Sequence, residues 1–517
     1  MKHSKKLASL LLALVMALSL AVTAFADEST TYSITINNST AGHTYEAYQI
    51  FTGDLATNEA GNKVLSNIVW GSGVSEAGQT ALGDAAAKTE TLKTEADAKA
   101  FAKAVAPYLT TAAGSANTVT DGKYVISGLA AGYYLVKDPD GSLIGDNDSY
   151  TEYIIQVVGN VTATPKSDVP EVQKKVKDIN DSTDTTKTDW QDSADYDIGD
   201  SIPFQLKATL ADNVSSYTTY KVVFHDTLSK GLTYNKDAKV YIDGTETNGF
   251  TVTATVNADG TTTLTVSCDD VKALGAGNSS VITVEYTAKL NENAVLGSAG
   301  NPNEVYLEYS NNPNKSEEGN NETGETPKDV VIVFTYKTII NKVDSETKPL
   351  TGAAFKLEKL IKGEDGAADT WTTIKEFAVD GTTTSFTFSG LDDGQYKLTE
   401  TKTPVGYNTI DPIYFVIEAT HGETADVPTL KTLNAYLTDA NGNKQTEMKD
   451  GESVNIDLGT VDLTAGSITT TVVNKSGSEL PSTGGIGTTI FYVLGGVLVL
   501  AAVVLLVTKK RMSGAEK

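Results

Sequence analysis

The chain has very little cysteine, arginine and histidine. Cysteine occurs once in 517 residues, as Cys268, and arginine once, as Arg511. A single thiol cannot form an internal disulfide, and we interpret Cys268, in the run TLTVSCDD, as a small strand residue rather than a reactive thiol. The scattered histidines have no HExxH, CxxC or nucleophile-elbow spacing. We therefore expect no metal site, no hydrolytic triad and no cofactor.

Positive charge is also scarce. Residues 27–483 contain 34 basic and 65 acidic residues, which gives a net charge of −31, and none of the basic residues is arginine. A protein this acidic and without guanidinium groups is a poor candidate for binding nucleic acid or phosphate. It is expected to stay soluble and self-repelling.

Short runs rich in Thr, Val, Tyr and Ile are separated by Gly, Asn and Asp-Gly turns along most of the chain. This pattern predicts an all-β protein of tandem immunoglobulin-like β-sandwich domains. One short helix is predicted near residues 94–106, where Thr94 and Asp97 have capping-box spacing. The Asn- and Glu-rich segment 311–328 is predicted to be a loop. The predicted boundaries are 1–26 (signal peptide), 27–168, 169–334, 335–478 (three domains) and 479–517 (C-terminal signal).

Both ends of the chain contain targeting signals. The N-terminus has three lysines, an apolar stretch over 7–22 and the small-x-small pattern Ala24-Phe25-Ala26, which predicts an exported protein. Near the C-terminus, Leu480-Pro481-Ser482-Thr483-Gly484 precedes an apolar run over 490–507 and the basic cluster 509–511. This run is about the minimum length for a transmembrane helix, and the basic cluster keeps its end in the cytoplasm.

The order of pentapeptide, span and basic stop resembles the sorting signal of Gram-positive surface proteins. The resemblance implies that a sortase cleaves between Thr483 and Gly484 and holds Thr483 as a thioester until an amine accepts it. Attachment to peptidoglycan would follow, with membrane contact only through the C-terminal helix before sorting. The alternative is an ordinary membrane anchor beside a chance pentapeptide.

A lysine, a glutamate and an asparagine in the third domain occupy positions that strand alternation predicts to be buried. Lys342, Glu400 and Asn474 each share a strand face with apolar residues. Leaving their charges in an apolar core costs on the order of several kcal/mol, and burial favours a neutral amine facing a neutral acid. Attack of the amine on the Asn474 carbonyl, with Glu400 moving protons, would release ammonia and leave an isopeptide bond.

The segment Tyr396-Lys397-Leu398-Thr399-Glu400 has the YxLxE pattern of Cna-B-like domains in Gram-positive adhesins and pilins, which the third domain resembles. The resemblance implies a Cna-type sandwich and a Lys342–Asn474 bond promoted by Glu400. A buried Lys342–Glu400 salt bridge and three solvated residues are the alternatives. SGLDDGQYKLTE in this domain also matches SGLAAGYYLVKD in the first, which indicates a shared plan.

A related set occurs in the middle domain. Lys174 alternates with two valines, and Asp226 lies on the apolar face of YKVVFHD. The domain resembles the middle domain of backbone pilins, in which lysine, aspartate and asparagine form the same bond. Both Asn303 and Asn311 have the right parity for the asparagine; we favour Asn303 because it directly precedes its strand.

The first domain lacks such a set. Its opening strand YSITINN has no lysine, and Lys137 stands where the third domain has its glutamate. We expect no internal bond here and the lowest stability of the three domains. At its end, TATPKS resembles the pilin motif of sortase-assembled pili, although Thr164 replaces the usual tyrosine. The resemblance implies that Lys166 accepts the sortase thioester; the alternative is an ordinary solvated lysine.

Together these features resemble the major subunit of a Gram-positive sortase-assembled pilus. The resemblance implies a structural protein rather than an enzyme, joined through Thr483 and Lys166 into a covalent fibre on the cell wall. Its expected partners are sortase, other copies of itself, accessory pilins and peptidoglycan. A monomeric wall-anchored adhesin, an accessory pilin and a surface enzyme are the alternatives.

Overall fold

The computed structural model describes residues 30–58, 61–143, 148–165, 168–183, 189–317, 319–363, 367–449 and 452–477. The predicted signal peptide, the sorting pentapeptide Leu480–Gly484, the predicted transmembrane helix and Lys166 lie outside these residues. Within the described ranges, no helix combines the length and the apolar character needed to cross a membrane.

The first part of the chain forms two sheets that enclose a core of tyrosines and branched aliphatic residues. Its strands are β1 (Tyr32–Asn37), β2 (Tyr45–Thr57), β3 (Lys63–Trp70), β4 (Gly114–Ala116), β5 (Lys123–Leu129), β6 (Gly132–Lys137), β7 (Glu152–Val157) and β8 (Val161–Ala163). One sheet has the order β5-β1-β8, and the other has the order β3-β2-β6-β7 with β4 beside β2. Strand β8 is therefore an edge strand, and the chain leaves this region from that edge.

Three helices lie between β3 and β4, where the sequence predicted one. They are α1 (Glu76–Leu82), α2 (Ala85–Thr91) and α3 (Glu95–Val105). Helix α3 is the predicted helix: Thr94 caps its N-terminus, and Thr94 and Asp97 exchange the two hydrogen bonds of a capping box. Helices α1 and α2 were missed because their short Ala- and Thr-rich sequences have little apolar periodicity, although Ser75 and Asp84 cap them.

The middle part of the chain is a sandwich of two larger sheets. Its strands are β9 (Glu171–Val176), β10 (Ser193–Asp195), β11 (Ser201–Thr209), β12 (Val222–Leu228), β13 (Leu232–Tyr234), β14 (Lys239–Ile242), β15 (Thr245–Thr247), β16 (Thr251–Val256), β17 (Thr262–Cys268), β18 (Val281–Leu290), β19 (Asn301–Ser310), β20 (Ser316–Glu317), β21 (Asn320–Asn321), β22 (Thr323–Glu325) and β23 (Asp329–Phe334). One sheet has the order β15-β14-β18-β11-β9, and the other β10-β23-β19-β12-β17-β16. The segment 311–328, predicted as a loop, contains β20 to β22, and β22 pairs with β19.

The third part is another sandwich. Its strands are β24 (Tyr336–Val343), β25 (Ala354–Ile361), β26 (Thr370–Glu376), β27 (Ser385–Leu391), β28 (Gly394–Lys402), β29 (Ile413–His421), β30 (Leu430–Thr438), β31 (Thr446–Lys449), β32 (Glu452–Asn455), β33 (Thr460–Asp462) and β34 (Ser467–Val473). The sheets have the orders β27-β24-β34-β33 and β26-β25-β28-β29-β30. The first strand, β24, lies parallel to the last, β34, so the two ends of this region are neighbours.

The predicted all-β fold class is confirmed, and the internal repeat has a structural counterpart. SGLAAGYYLVKD spans β5 and β6, and SGLDDGQYKLTE spans β27 and β28. In each case the first strand pairs with the opening strand of its region and the second belongs to the opposite sheet. The repeated sequence therefore forms the same crossing between sheets in the first and third regions.

Candidate isopeptide-forming sites

The middle sandwich brings three predicted residues together between its sheets. Lys174 enters from β9, whereas Asp226 and Asn303 enter from β12 and β19 of the opposite sheet. All three are fully buried. The Lys174 Nζ lies 2.6 Å from Asp226 Oδ1. Strand alternation, which turns every second side chain inward, therefore places a lysine, an acid and an asparagine in one apolar core.

Tyr286, on β18, connects these three residues and was not predicted from the sequence. Its hydroxyl donates to Asp226 Oδ2 at 2.5 Å and accepts from Asn303 Nδ2 at 2.7 Å. The Lys174 Nζ is 3.1 Å from the same hydroxyl. The signal was available, because Tyr286 has the inward parity of VITVEYTAKL. The Asn303 side-chain oxygen has no hydrogen-bond partner, which leaves its carbonyl carbon without a competing interaction.

Burial governs the protonation of this cluster. It lowers the pKa of Lys174, although the nearby Asp226 carboxylate opposes the shift. Burial also raises the pKa of Asp226, against the opposing effects of Lys174 and Tyr286. Both shifts favour the form in which a neutral amine faces a protonated acid. The amine then has a free lone pair, which it needs in order to attack a carbonyl carbon.

The structure also separates the two candidate asparagines. Asn303 lies near the start of β19, beside Tyr286, whereas Asn311 follows the end of the strand. Eight residues of extended strand span about 26 Å. The backbone of Asn311 accepts from Tyr150 and donates to Glu322, so it belongs to the contact with the first region. Of the two, Asn303 is the one that shares a partner with Lys174.

The third sandwich gathers Lys342, Glu400 and Asn474. Lys342 and Asn474 are fully buried, and Glu400 is 6% exposed. Lys342 pairs with Val472 in the parallel β24–β34 register, so Asn474 lies two residues further along on the same face. The Asn474 Nδ2 donates to both oxygens of Glu400 at 3.0 Å, and its side-chain oxygen has no hydrogen-bond partner.

The Lys342 amine is held by backbone carbonyls. Its Nζ donates to the carbonyl oxygens of Val472 at 2.9 Å and Val343 at 3.1 Å. Burial lowers the pKa of Lys342, and the charges of Glu400 and Asp344 oppose the shift only in part. Neither acceptor carries a formal charge, so neither holds the amine in its protonated form as strongly as a contacting carboxylate would.

A third buried lysine has a different environment. Lys359 is fully buried, and its Nζ contacts Asp392, lies 2.6 Å from Asp197 and 3.5 Å from Asp181. Burial alone would lower the pKa of Lys359, but these three carboxylates outweigh it and raise the pKa above its usual value. This amine stays an ammonium ion. Burial by itself therefore does not decide whether the pKa of a lysine is lowered or raised; the number of facing carboxylates also matters.

The described part of the first region has an ionic cluster instead of such a set. His43 lies between Asp138 and Asp148, with both of its ring nitrogens 2.9 Å from a carboxylate oxygen. Burial opposes a charged imidazole, but hydrogen bonds to the two aspartates outweigh it and raise the pKa of His43 to about 9. Lys137, on β6, is half-buried and lies opposite Glu46 and Glu152 in the strand register.

The residues that precede Lys166 are described up to Pro165. Strand β8 pairs in parallel with β1 through Val161 to Ala163, and Asn37 Nδ2 lies 3.4 Å from the Thr164 hydroxyl. Thr164 is exposed. The described chain therefore leaves the sheet from an edge strand.

Three family models match the chain. Residues 198–313 match the Gram-positive pilin backbone subunit 2, Cna-B-like domain; residues 337–432 match a prealbumin-like fold domain; and residues 472–513 match the LPXTG cell wall anchor motif.

The chain is also similar to known proteins over most of its length. The trypsin-resistant surface T6 protein of Streptococcus pyogenes serotype M6 is 26% identical over 450 residues, which is 76% of this chain and 77% of that protein. The T6 backbone pilin structure from the same organism, described as modular and three-domain, matches with a TM-score of 0.54 and 20% identity over 88% of this chain and 100% of that chain. The full-length major pilin SpaD of Corynebacterium diphtheriae matches at a TM-score of 0.48 and 19% identity, over 88% and 100% of the two chains.

The first prediction concerns the mass of the purified protein. Two Lys–Asn bonds release two ammonia molecules, so the intact mass should be lower than the sequence mass by that amount, with no further loss from the first region. Asp226→Ala and Glu400→Ala should each prevent one bond and so reduce the mass loss by one ammonia. Asn303→Ala should do the same, whereas Asn311→Ala should leave the mass loss unchanged. Lys175→Ala is the matched control, since this residue neighbours Lys174 but is partly exposed. A wild-type mass equal to the sequence mass would contradict both bonds.

The second prediction concerns Tyr286. Tyr286→Phe keeps the ring but removes the hydroxyl that contacts Asp226, Asn303 and Lys174, so the middle bond should form more slowly or incompletely. The fraction of freshly synthesised protein that still has the unreacted mass, followed over time after synthesis by mass spectrometry, measures this effect. Tyr234→Phe serves as the control, because the Tyr234 ring packs against Tyr286 at 5.6 Å but its hydroxyl accepts from the Ala238 amide. Equal rates in wild type and Tyr286→Phe would exclude a role for the hydroxyl.

The third prediction concerns pH. The pKa of His43 is about 9 in the folded chain and about 6.5 when unfolded, so its stabilising effect is complete below about pH 6.5 and is lost as pH rises through 9. The free energy of unfolding of the first region should fall by roughly 2–3 kcal/mol across this window. Denaturation followed by Trp70 fluorescence, with Trp190 and Trp371 replaced by Phe, measures it. His43→Gln should flatten the profile and His225→Ala should not; a pH-independent wild type would contradict the ionic assignment.

Proposed function

We propose that this chain is a Gram-positive backbone pilin whose subunits are joined through Thr483 and Lys166 and stabilised by two internal Lys–Asn bonds. The matches to a pilin backbone domain, to an LPXTG cell wall anchor motif and to the T6 surface protein support this proposal. As a backbone pilin it is a structural subunit of a cell-surface pilus shaft and not a member of an enzyme family. The observation that carries the proposal is the burial of Lys174 beside one acid and an asparagine whose carbonyl oxygen has no partner.

In the middle site, the neutral Lys174 amine attacks the Cγ of Asn303 while the protonated Asp226 supplies a proton to the carbonyl oxygen. A new Nζ–Cγ bond forms. A proton from the amine then passes through Asp226 to the amide nitrogen, and the Cγ–Nδ2 bond breaks so that ammonia leaves. As the carbonyl group re-forms, its oxygen returns the first proton to Asp226. Tyr286 contacts all three groups and is well placed to orient them. Because the site is dry, water does not compete for the carbonyl carbon.

The third site follows the same chemistry with Glu400 as the acid. Both Glu400 oxygens already contact the Asn474 nitrogen that would leave as ammonia. The Lys342 amine lies on the adjacent strand and faces carbonyl oxygens rather than a carboxylate. This geometry supports Glu400 as the group that delivers the proton to the leaving nitrogen, with Lys342 as the nucleophile.

Between subunits, a sortase would supply the activated carbonyl. Its cysteine breaks the Thr483–Gly484 peptide bond and forms a thioester with Thr483. The Lys166 amine of another copy attacks this carbonyl, an amide forms, and the sortase thiol is released. Peptidoglycan would replace Lys166 as the acceptor for the last subunit, and accessory pilins would join through the same reaction. The exit of the chain from the edge strand β8 supports Lys166 as a reachable amine.

We also propose that the segments 27–168, 169–334 and 335–478 are the three modular units of the subunit. The hydrophobic clusters support this division, because one draws on residues from Val176 to Val333 and another on residues from Phe334 to Val472. In this arrangement both proposed internal bonds lie within single units, and the proposed intersubunit amine lies at the end of the first.

The fourth prediction separates a shaft subunit from a monomeric adhesin. Lys166→Ala should abolish the high-molecular-weight ladder of wall extracts on a denaturing gel while the monomer is still anchored, because the acceptor amine is lost. Thr483→Ala should remove both the ladder and the anchored monomer. Lys123→Ala, at an exposed lysine of the same region, is the control and should leave the ladder intact. A ladder that persists in Lys166→Ala would show that a different amine is the acceptor.

A further inference from the structure

The two candidate isopeptide sites differ in how their acid can receive a proton. In the middle site the Lys174 Nζ lies 2.6 Å from Asp226, so the amine and the acid can exchange a proton directly. In the third site the described hydrogen bonds of the Lys342 Nζ go to two backbone carbonyl oxygens, and none of them joins it to Glu400. Glu400 therefore needs another source for the proton that the proposed reaction requires.

A tight turn in the loop after β28 brings two threonine side chains together beside this acid. The Tyr407 amide donates to the Pro404 carbonyl oxygen at 3.2 Å, and Gly406 has a φ of 86°, as the third residue of such a turn requires. The turn reverses the chain direction. As a result, Thr409 returns to Thr403, which directly follows the end of β28.

The two threonine hydroxyls connect Glu400 with the protein surface. Thr403 Oγ1 donates to Glu400 Oε2 at 3.1 Å and lies 2.8 Å from Thr409 Oγ1. Because a hydroxyl has only one proton to donate, Thr403 accepts from Thr409 while it donates to Glu400. Glu400 is buried, Thr403 is half-buried and Thr409 is exposed. The outer end of this hydrogen-bonded chain is therefore in contact with water.

The inner end of the chain lies next to the nitrogen that would leave as ammonia. Asn474 Nδ2 is 3.0 Å from Glu400 Oε2, the same oxygen that accepts from Thr403. The loop also contacts this nitrogen directly, since the Asn408 carbonyl oxygen accepts from Asn474 Nδ2 at 2.9 Å. Oε2 thus lies between the last hydroxyl and the leaving nitrogen.

We propose that Thr403 and Thr409 are positioning residues that form a proton relay between solvent and Glu400. The inference rests on the proposed Lys342–Asn474 bond. A hydronium ion gives a proton to the Thr409 oxygen and becomes water, Thr409 passes its own proton to Thr403, and Thr403 passes its own to Oε2. Each hydroxyl gains one proton and loses one, and the carboxylate becomes a carboxylic acid. The alternative is that Thr403 only holds the carboxylate in place.

The test follows the Lys342–Asn474 cross-link in the freshly synthesised full chain over time, by mass spectrometry of its peptides. Thr403→Val has nearly the same shape but no hydroxyl, and it should slow the reaction by about tenfold or more, as the loss of a proton-transfer group does. Thr403→Ser keeps the hydroxyl and should restore the rate. Thr409→Val should also slow the reaction, although Thr409 reaches Glu400 only through Thr403.

Thr420→Val is the matched control. Thr420 and Thr432 form a similar hydroxyl pair, 2.6 Å apart, on β29 and β30, and its loss should leave the rate unchanged. The Lys174–Asn303 cross-link of the same chains is the internal reference and should form at the wild-type rate in every variant. Near-ultraviolet circular dichroism checks that each variant is folded.

Equal rates in wild type and Thr403→Val would overturn the relay. A wild-type rate in Thr409→Val beside a slow Thr403→Val would also overturn it and favour the alternative, in which Thr403 acts alone. A wild-type chain that forms no Lys342–Asn474 cross-link would contradict the proposed bond itself, and the relay with it.

Discussion

The desolvation of a lysine amine beside a single acid is the interaction on which the rest of this structure depends. An ammonium ion loses its hydration in a dry sandwich core, and one buried carboxylate recovers only part of that loss. The pKa of Lys174 is therefore lowered and that of Asp226 is raised. In the proposed reaction, proton transfer to the neutral pair and attack on the nearby carboxamide would remove both buried charges permanently.

The same physics explains why Lys359 differs from Lys174. Three carboxylates face Lys359, and their summed field stabilises the ammonium form against the effect of burial. That cluster joins residues of the middle and third sandwiches, so its charges contribute to the contact between units. A single facing acid leaves the pKa of the buried Lys174 lowered, as the proposed bond requires, whereas several acids keep Lys359 charged in an ionic contact.

Much of the chemistry within each sandwich could be predicted from strand alternation. Period-2 burial places Lys174, Asp226, Lys342 and Asn474 inward, and the structure finds all four buried. The same rule could not choose between Asn303 and Asn311, because both have the inward parity; only the pairing of β19 with its neighbours separates them. Tyr286 also has inward parity, but it was not predicted as a site residue because an inward tyrosine is ordinary in a sandwich core.

Contacts between units were beyond the reach of sequence patterns. Lys359 meets Asp197 and Asp181 only because two sandwiches dock, and the local sequence does not show how those sandwiches pack. His43 illustrates the same limit within one unit. Its two aspartates lie beyond β6, about a hundred residues further along the chain, and neither forms a recognisable spacing with the histidine.

The positions of the proposed bonds also determine which parts of the shaft would stretch. In the third unit, Lys342 and Asn474 lie near the two ends of the sandwich sequence. A bond between them would bear a pulling force in place of nearly all of the chain in between. In the middle unit the bond would end at Asn303, and the chain from there to Phe334 would remain in the loaded path. Its resistance would come from the antiparallel pairing of β19 with β23, in which Asn303 lies opposite Val331.

If both proposed bonds form, the middle unit would be the more extensible of the two cross-linked units. The segment from Asn303 to Phe334 would extend by up to about 100 Å if β19 and β23 separated, whereas the third unit has no comparable segment between its cross-linked strands. A hydrogen bond from the Lys174 amide to Asp329 at 2.6 Å lies next to the proposed cross-link and holds the start of β23. In a covalent shaft built this way, cross-links would resist the rupture of the middle and third units. The pair β19–β23 would separate first, and its extension would absorb force before any covalent bond reached its breaking load.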